Sequence, residues 1–248
     1  MSSKQRREAA LASARDTVRP EPAPPGEGWP LALVARTRAL WESLEGKYGF
    51  WDHGFEVFAS PVPPGASLVI VGEHPVGGAD AFDLARASVV PARHSYLDAA
   101  GLGPTRMREA FRSLGHEAAL MGSVKTYANS FRSESLAQWR TTNVPERQYM
   151  EKLSLTSLRT TIERLGPLLV LCEGMEALQR TLKLFPGAAP TTVAVASGSR
   201  RAYCRTTVEG GMTLAAIIDP AIAQTSEADW EAALPELARD LAALRQVF

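Results

Sequence analysis

Cysteine is scarce in this chain: 248 residues hold two, Cys172 and Cys204, far apart. Two thiols make neither a disulfide framework nor a paired CxxC metal knuckle, and they exclude an iron–sulfur cluster held by four cysteines. This usage fits a reducing cytoplasm. Net charge is lacking as well. Lys and Arg number 27 and Asp and Glu number 27, so no global field draws the protein to nucleic acid, and any DNA contact has to come from a local patch. No apolar run approaches the roughly 18 residues of a membrane span. The phosphate and acyl-transfer signatures GxGxxG, GxxxxGK[ST] and GxSxG are missing too, which weighs against dinucleotide, nucleotide and acyl chemistry. No internal repeat is present.

What is there fits an ordinary globular protein, 45% hydrophobic and 22% charged, with enough apolar residues for one large domain or two small ones. Met1–Gly28 begins basic and Ala-rich and ends Pro/Gly-rich without the apolar core of a secretory signal. It reads as a disordered tail, with ordered structure from Trp29 to Phe248 as one domain. Leu33, Thr37, Leu40, Trp41 and Leu44 share a helical face. Pro104–Gly115 reads as a short helix opened by proline and closed by glycine. "LSLTSLRTTIERLGPLLVLCEGMEALQRTLKLFPG" reads as helix, stop, strand, turn and helix, with Leu168–Cys172 as the strand. "TTVAVASGSRRAYCRTTVEGGMTLAAIIDPAIA" gives a strand, a loop with two arginines, and two strands joined by Glu209-Gly210-Gly211. Ser226 with Asp229 makes a capping box before a C-terminal helix carrying Trp230, Leu234, Leu237, Leu241 and Leu244.

The stretch "ASLVIVGEHPVGGADAF" sets Leu68–Val71, a run suited to a buried parallel strand, against a turn of Gly72, Glu73, His74 and Pro75. In open α/β sheets ligands bind beyond the carboxyl ends of the strands. Apolar strands alternating with helical stripes predict a three-layer, doubly wound α/β domain with a mostly parallel, four-stranded sheet. The turns "GEHPVGG", "YANSFRS", "CEGMEA" and "IDPAIA" should then converge.

At these residues the chain resembles the uracil-DNA glycosylase superfamily. "PPGASLVIVGEHPVG" is similar to its first motif, a hydrophobic strand running into Gly-x-Asp-Pro, Gly-x-Asn-Pro or Gly-Glu-Ala-Pro. "SVKTYANSFRS" resembles its middle strand with an Asn-bearing turn, "LGPLLVLCEGMEALQRTL" its strand-turn-helix unit, and "AAIIDPAIA" stands where the family has His-Pro-Ser or His-Pro-Ala. The likeness runs in order from about Trp29 to Gln224. It implies a doubly wound domain that flips a deaminated base out of DNA and hydrolyses its N-glycosidic bond in base-excision repair, with DNA as partner; no cofactor, metal or membrane contact is expected.

By that resemblance the catalytic candidates are His74, Glu73 and Asp219. In the family the first-motif Asp or Asn positions water and the last-motif His stabilises the base anion. Here His74 holds the first place and Asp219 the last, so the two residue types are exchanged. A carboxylate about 4 Å from a departing base anion costs on the order of 4 kcal/mol at an effective dielectric near 20. Asp219 escapes this cost if it is protonated, if it stabilises the sugar cation, or if it pairs with His74 and holds it as the base for water.

Asn129 matches the amide that reads a pyrimidine edge, and an Asx turn is its other reading. Phe82, Tyr127 and Phe131 are candidates to stack on a flipped base, though aromatics near strand ends also build cores. Ser197, Ser199, Arg200 and Arg201 are candidates for phosphate contact, with a solvated basic loop as the alternative. Three functions remain open: an active glycosylase with a rearranged site, a degenerate relative that binds nucleic acid or a nucleobase without hydrolysis, and an unrelated α/β enzyme on a small metabolite.

Overall fold

Leu68–Gly72 forms β1 and Leu169–Glu173 forms β3, and the two pair in parallel with Leu68 opposite Leu169 and Val71 opposite Cys172. The computed structural model describes residues 28–44, 51–141, 144–221 and 225–244. The tail read at Met1–Gly28 lies outside them but for Gly28, as do Ile222 and Ala223 of the last motif and the end of the chain beyond Leu244.

Both strands are buried almost completely, as a Val/Ile/Leu run in the centre of a parallel sheet has to be. Val124–Tyr127 (β2) lies parallel to β1 on its other side, and Thr213–Ile217 (β6) lies parallel to β3. The sheet has six strands rather than the four expected. Thr191–Val195 (β4) and Arg201–Thr207 (β5) fold back through turns at Ser197–Ser199 and Glu209–Gly211, so β5 runs antiparallel to β6, and β4 antiparallel to β5. The order is β2-β1-β3-β6-β5-β4. The three segments after the second helical unit do form strands where their β-branched residues predict them. Two of them extend the parallel sheet as an antiparallel edge.

Side-chain alternation along the strands separates two cores. Val69, Val71, Val170 and Cys172 pack with helices Trp29–Ser43 (α1), Val144–Leu165 (α3) and Met175–Leu182 (α4). Leu68, Ile70, Leu169 and Leu171 pack with Leu102–Ser113 (α2) and Leu234–Leu244 (α5). Helices therefore cover both faces of the sheet. α2 starts two residues before the proline that marks it, and α3 extends well upstream of the stripe Leu155, Leu158, Ile162 and Leu165. The capping box of Ser226 and Asp229 is present, with both reciprocal hydrogen bonds, at the short helix Glu227–Glu231. "FEVFAS" touches the sheet only through single bridges, Phe55 to Phe131 and Phe58 to Thr126. Among the described residues no helix is long and apolar enough to cross a membrane.

Candidate functional site

The four parallel strands end on one edge of the sheet. Glu73 and His74 follow β1, Asn129 follows β2, Glu173 closes β3, and Asp219 follows β6. The Asn129 N–H donates to the Glu73 carbonyl at 2.9 Å, and the Gly174 N–H to the Ile217 carbonyl at 2.9 Å, which ties neighbouring strand ends together. Gly174 turns from β3 into α4 at φ 89°, a left-handed conformation suited to glycine, and a Cβ there would lie 3.3 Å from the Asp219 side chain.

One polar group at this edge is built on Lys125 of β2. Its ammonium makes a buried ion pair with Glu173 and stands 5.2 Å from the Tyr96 ring centroid and 5.5 Å from that of Tyr127. Space for it comes from Gly72, where a Cβ would fall 3.1 Å from Lys125 Nζ and 2.9 Å from a Tyr127 ring carbon. Burial pulls the Lys125 amine down to about 7, against the opposing charges of Asp219 and Glu56. Burial likewise pushes the Glu173 carboxyl up to about 8, helped by Asp219. The pair is neutral overall whichever member holds the shared proton. Burial also raises Asp219, opposed by the Ala221 N–H that it accepts at 2.8 Å and by Lys125.

The second polar group is built on Arg180 of α4. Its Nη1 donates to Glu151 Oε1 at 2.9 Å, an oxygen that also accepts from the Trp139 indole at 3.1 Å. Burial works to raise the Glu151 carboxyl, but these hydrogen bonds outweigh it and hold the group below its usual range. Arg180 Nε faces Glu73 Oε1 across 3.7 Å. Burial raises Glu73, with Arg180 opposing, and lowers His74 to about 4, with Arg180 adding to the effect. His74 is thus a neutral imidazole at physiological pH. Among the described residues no hydrogen bond or ion pair joins it to Asp219, whose carboxylate turns to Ala221 in its own loop.

The other candidates fall in several places. Asn129 is buried, and its amide is engaged within the protein: Oδ1 accepts from the Phe131 N–H at 3.3 Å and from Ser154 at 3.4 Å, while Nδ2 donates to the Phe131 carbonyl at 3.5 Å. This is the Asx-turn arrangement. Phe131 is core, and Phe82 packs into an aromatic cluster, 5.3 Å from Trp41 and 6.0 Å from Phe55 between ring centroids. Tyr127 donates its hydroxyl to Glu56 at 2.8 Å. Ser197, Ser199, Arg200 and Arg201 occupy the β4–β5 turn on the same sheet edge as the strand ends, beyond β6 and β5. Ser199 takes φ 61° there, an unusual angle for a residue with a side chain. Arg200 is tied to Asp229, which also accepts from the Ser197 N–H at 2.7 Å, and Arg201 is exposed.

Sequence reasoning missed Lys125, Glu173, Arg180 and Glu151. The available signals were a lysine inside the apolar run "SVKTYA" and a glutamate ending the fully apolar strand "LVLCE". Arg180 and Glu151 carry no such mark. Among the described residues no group of three or more His, Cys, Asp or Glu is placed to hold a metal ion. No protein-family model matches the chain, and no curated protein matches it.

Proposed function

We propose that the protein is a DNA N-glycosylase of the uracil-DNA glycosylase type, removing a deaminated base from DNA. The observation that carries this reading is the meeting of Glu73, His74, Glu173 and Asp219 on one carboxyl edge of the sheet, each with a perturbed ionisation. Convergence of titratable groups from separate strand ends is what a site requires and what turn chemistry alone does not produce. Two of those strand ends carry the first and last of the four ordered motifs. The last-motif carboxylate, costly beside a base anion when ionised, is raised by burial toward its neutral form, with the Ala221 N–H and Lys125 opposing the rise. The neutral state of His74 suits contact with a water or a base oxygen. Arg201, exposed on the same edge, supplies a local cation for phosphate where the chain's net charge supplies none.

One observation favours binding without hydrolysis as the second reading: the Asn129 amide is already engaged with Phe131 and Ser154. The deciding experiment is a gel assay of base release from uracil-, hypoxanthine- and xanthine-containing oligonucleotides, single- and double-stranded, with wild type, His74→Ala and Asp219→Ala. Release by wild type and its loss in the folded variants support the glycosylase. DNA binding without release from any substrate supports the binder.

A further inference from the structure

Arg106 of α2 is buried, its side chain 9% exposed, and its two terminal nitrogens reach the two ends of the loop that follows β6. Nη1 donates to the Pro220 carbonyl at 3.3 Å and Nη2 to the Thr225 carbonyl at 2.7 Å. Beyond the loop, Nη2 stands 3.7 Å from Glu227, and the guanidinium lies 6.0 Å from the Trp230 ring centroid. Three positions earlier on the same helix, Gly103 lets α2 approach the loop closely. A Cβ there would fall 3.2 Å from Ala221 Cβ and 3.4 Å from Ala221 N. That amide is the one Asp219 Oδ1 accepts at 2.8 Å, and the Asp219 side chain also packs on Gly174, where a Cβ would lie 3.3 Å from Asp219 Cβ. The carboxylate is thus fixed through the loop backbone, and α2 fixes that backbone.

A buried guanidinium is a costly way to dock a helix on a loop. An apolar side chain of similar volume would pack there as well or better, and Arg106 Nε, although buried, has no hydrogen-bond partner in the structure. What the planar fork adds is direction, since it sets two carbonyls at a fixed separation as no apolar group or single ammonium does. We propose that Arg106 is a positioning residue for Asp219: its fork on the Pro220 and Thr225 carbonyls, with Gly103 seated against Ala221, holds the loop so that the Ala221 N–H fixes the orientation of the Asp219 carboxylate. The catalytic consequence rests on the glycosylase reading; the positioning does not. Loss of the fork frees the loop and takes the Ala221 N–H away from Asp219. The carboxyl, already raised by burial, then loses one of the two groups that oppose the rise.

Two arms test the positioning and its consequence separately. In the first, the Asp219 carboxyl, followed by NMR, should titrate higher in Arg106→Met than in wild type, and a crystal structure of the variant should show Asp219 Oδ1 away from the Ala221 N–H. A folded Arg106→Met in which Asp219 keeps both its hydrogen bond and its titration overturns the proposal, whatever the protein does to DNA. Where Arg106→Met fails to fold, two milder variants carry the same test. Arg106→Lys keeps the charge without the fork, and Gly103→Ala introduces the better helix former while its methyl displaces Ala221. Both should hold Tm and shift the Asp219 titration upward, and an unmoved Asp219 in both overturns the proposal. In the second arm, single-turnover base release by Arg106→Met should fall about 10²-fold, with lesion-DNA affinity changed less than about threefold. The limb of the pH–rate profile that Asp219 governs should move to higher pH, and Arg106→Lys should lose less than Arg106→Met. An unchanged rate, or a lower rate with an unmoved profile, overturns the catalytic consequence. A wild type that releases nothing overturns the glycosylase reading, and the first arm still decides the positioning.

Discussion

Replacing Lys125 by Met tests its buried pair with Glu173. Lys125 and Glu173 are almost fully enclosed, their side chains 5% and 11% exposed. A buried ion pair adds little over a well-packed apolar pair, but removal of one partner strands the other charge, at a typical cost of about 3–5 kcal/mol. The stranded Glu173 lowers that cost by taking a proton. Its carboxyl, already pushed up to about 8 by burial, then stays protonated at pH 7. That protonation is unfavourable at pH 7, where a carboxyl at the ordinary 4.5 is ionised, and close to free at pH 5. Lys125→Met should therefore destabilise the protein by about 3–5 kcal/mol at pH 7 and by clearly less at pH 5, measured by urea unfolding against wild type at each pH. A loss below about 1 kcal/mol at pH 7, or an equal loss at both pH values, would refute the account of the pair.

The double variant Lys125→Met/Glu173→Leu should return to within about 1–2 kcal/mol of wild type in the same unfolding experiment, since an apolar pair replaces the ionic one; a double variant as unstable as the single would count against it. Gly72→Ala should cost about 1–3 kcal/mol, because its methyl meets Tyr127 and Lys125 at 2.9 and 3.1 Å, and a neutral effect on Tm would show that the ring and amine yield freely. Asn129→Ala should lose about 1–2 kcal/mol through the Phe131 and Ser154 hydrogen bonds; unchanged stability with abolished base release would instead make the amide a substrate contact. His74, lowered to about 4 from 6.5, binds fewer protons folded than unfolded in that range. Its contribution to stability is therefore present above pH 6.5 and lost as pH falls toward 4. His74→Asn should lose less stability than wild type between pH 6.5 and 4, and an imidazole signal titrating near 6.5 by NMR would contradict the lowered value.

The parts of the fold legible in the sequence are those fixed by local pattern. Leu68–Val71 and Leu168–Cys172 are apolar on both faces, which only a central strand accommodates. Ser226 and Asp229 sit at the spacing at which each side chain meets the other's backbone. The strand count needed more than pattern. Thr191–Val195 and Arg201–Thr207 read as strands, but whether they join the sheet depends on the hairpins between them and β6. The candidate site was legible at His74, Glu73 and Asp219 because strand-end turns of a parallel sheet share an edge. Lys125 and Glu173 were not, since their partnership crosses β1 and no local rule sets it. Arg180 reads in sequence as the polar face of an amphipathic helix, and its place beside Glu73 follows from the packing of α4. Asn129 carries the same residue type for an Asx turn and for base recognition, so identity alone could not separate them.

The central claim, hydrolysis of an N-glycosidic bond at this sheet edge, is tested most directly by mass spectrometry of a uracil-containing single-stranded oligonucleotide after incubation with excess protein. The account predicts free uracil together with an intact strand bearing one abasic site, both products appearing with wild type and neither with His74→Ala or Asp219→Ala. An unchanged oligonucleotide after incubation with wild type, repeated with hypoxanthine and xanthine in place of uracil, would contradict it.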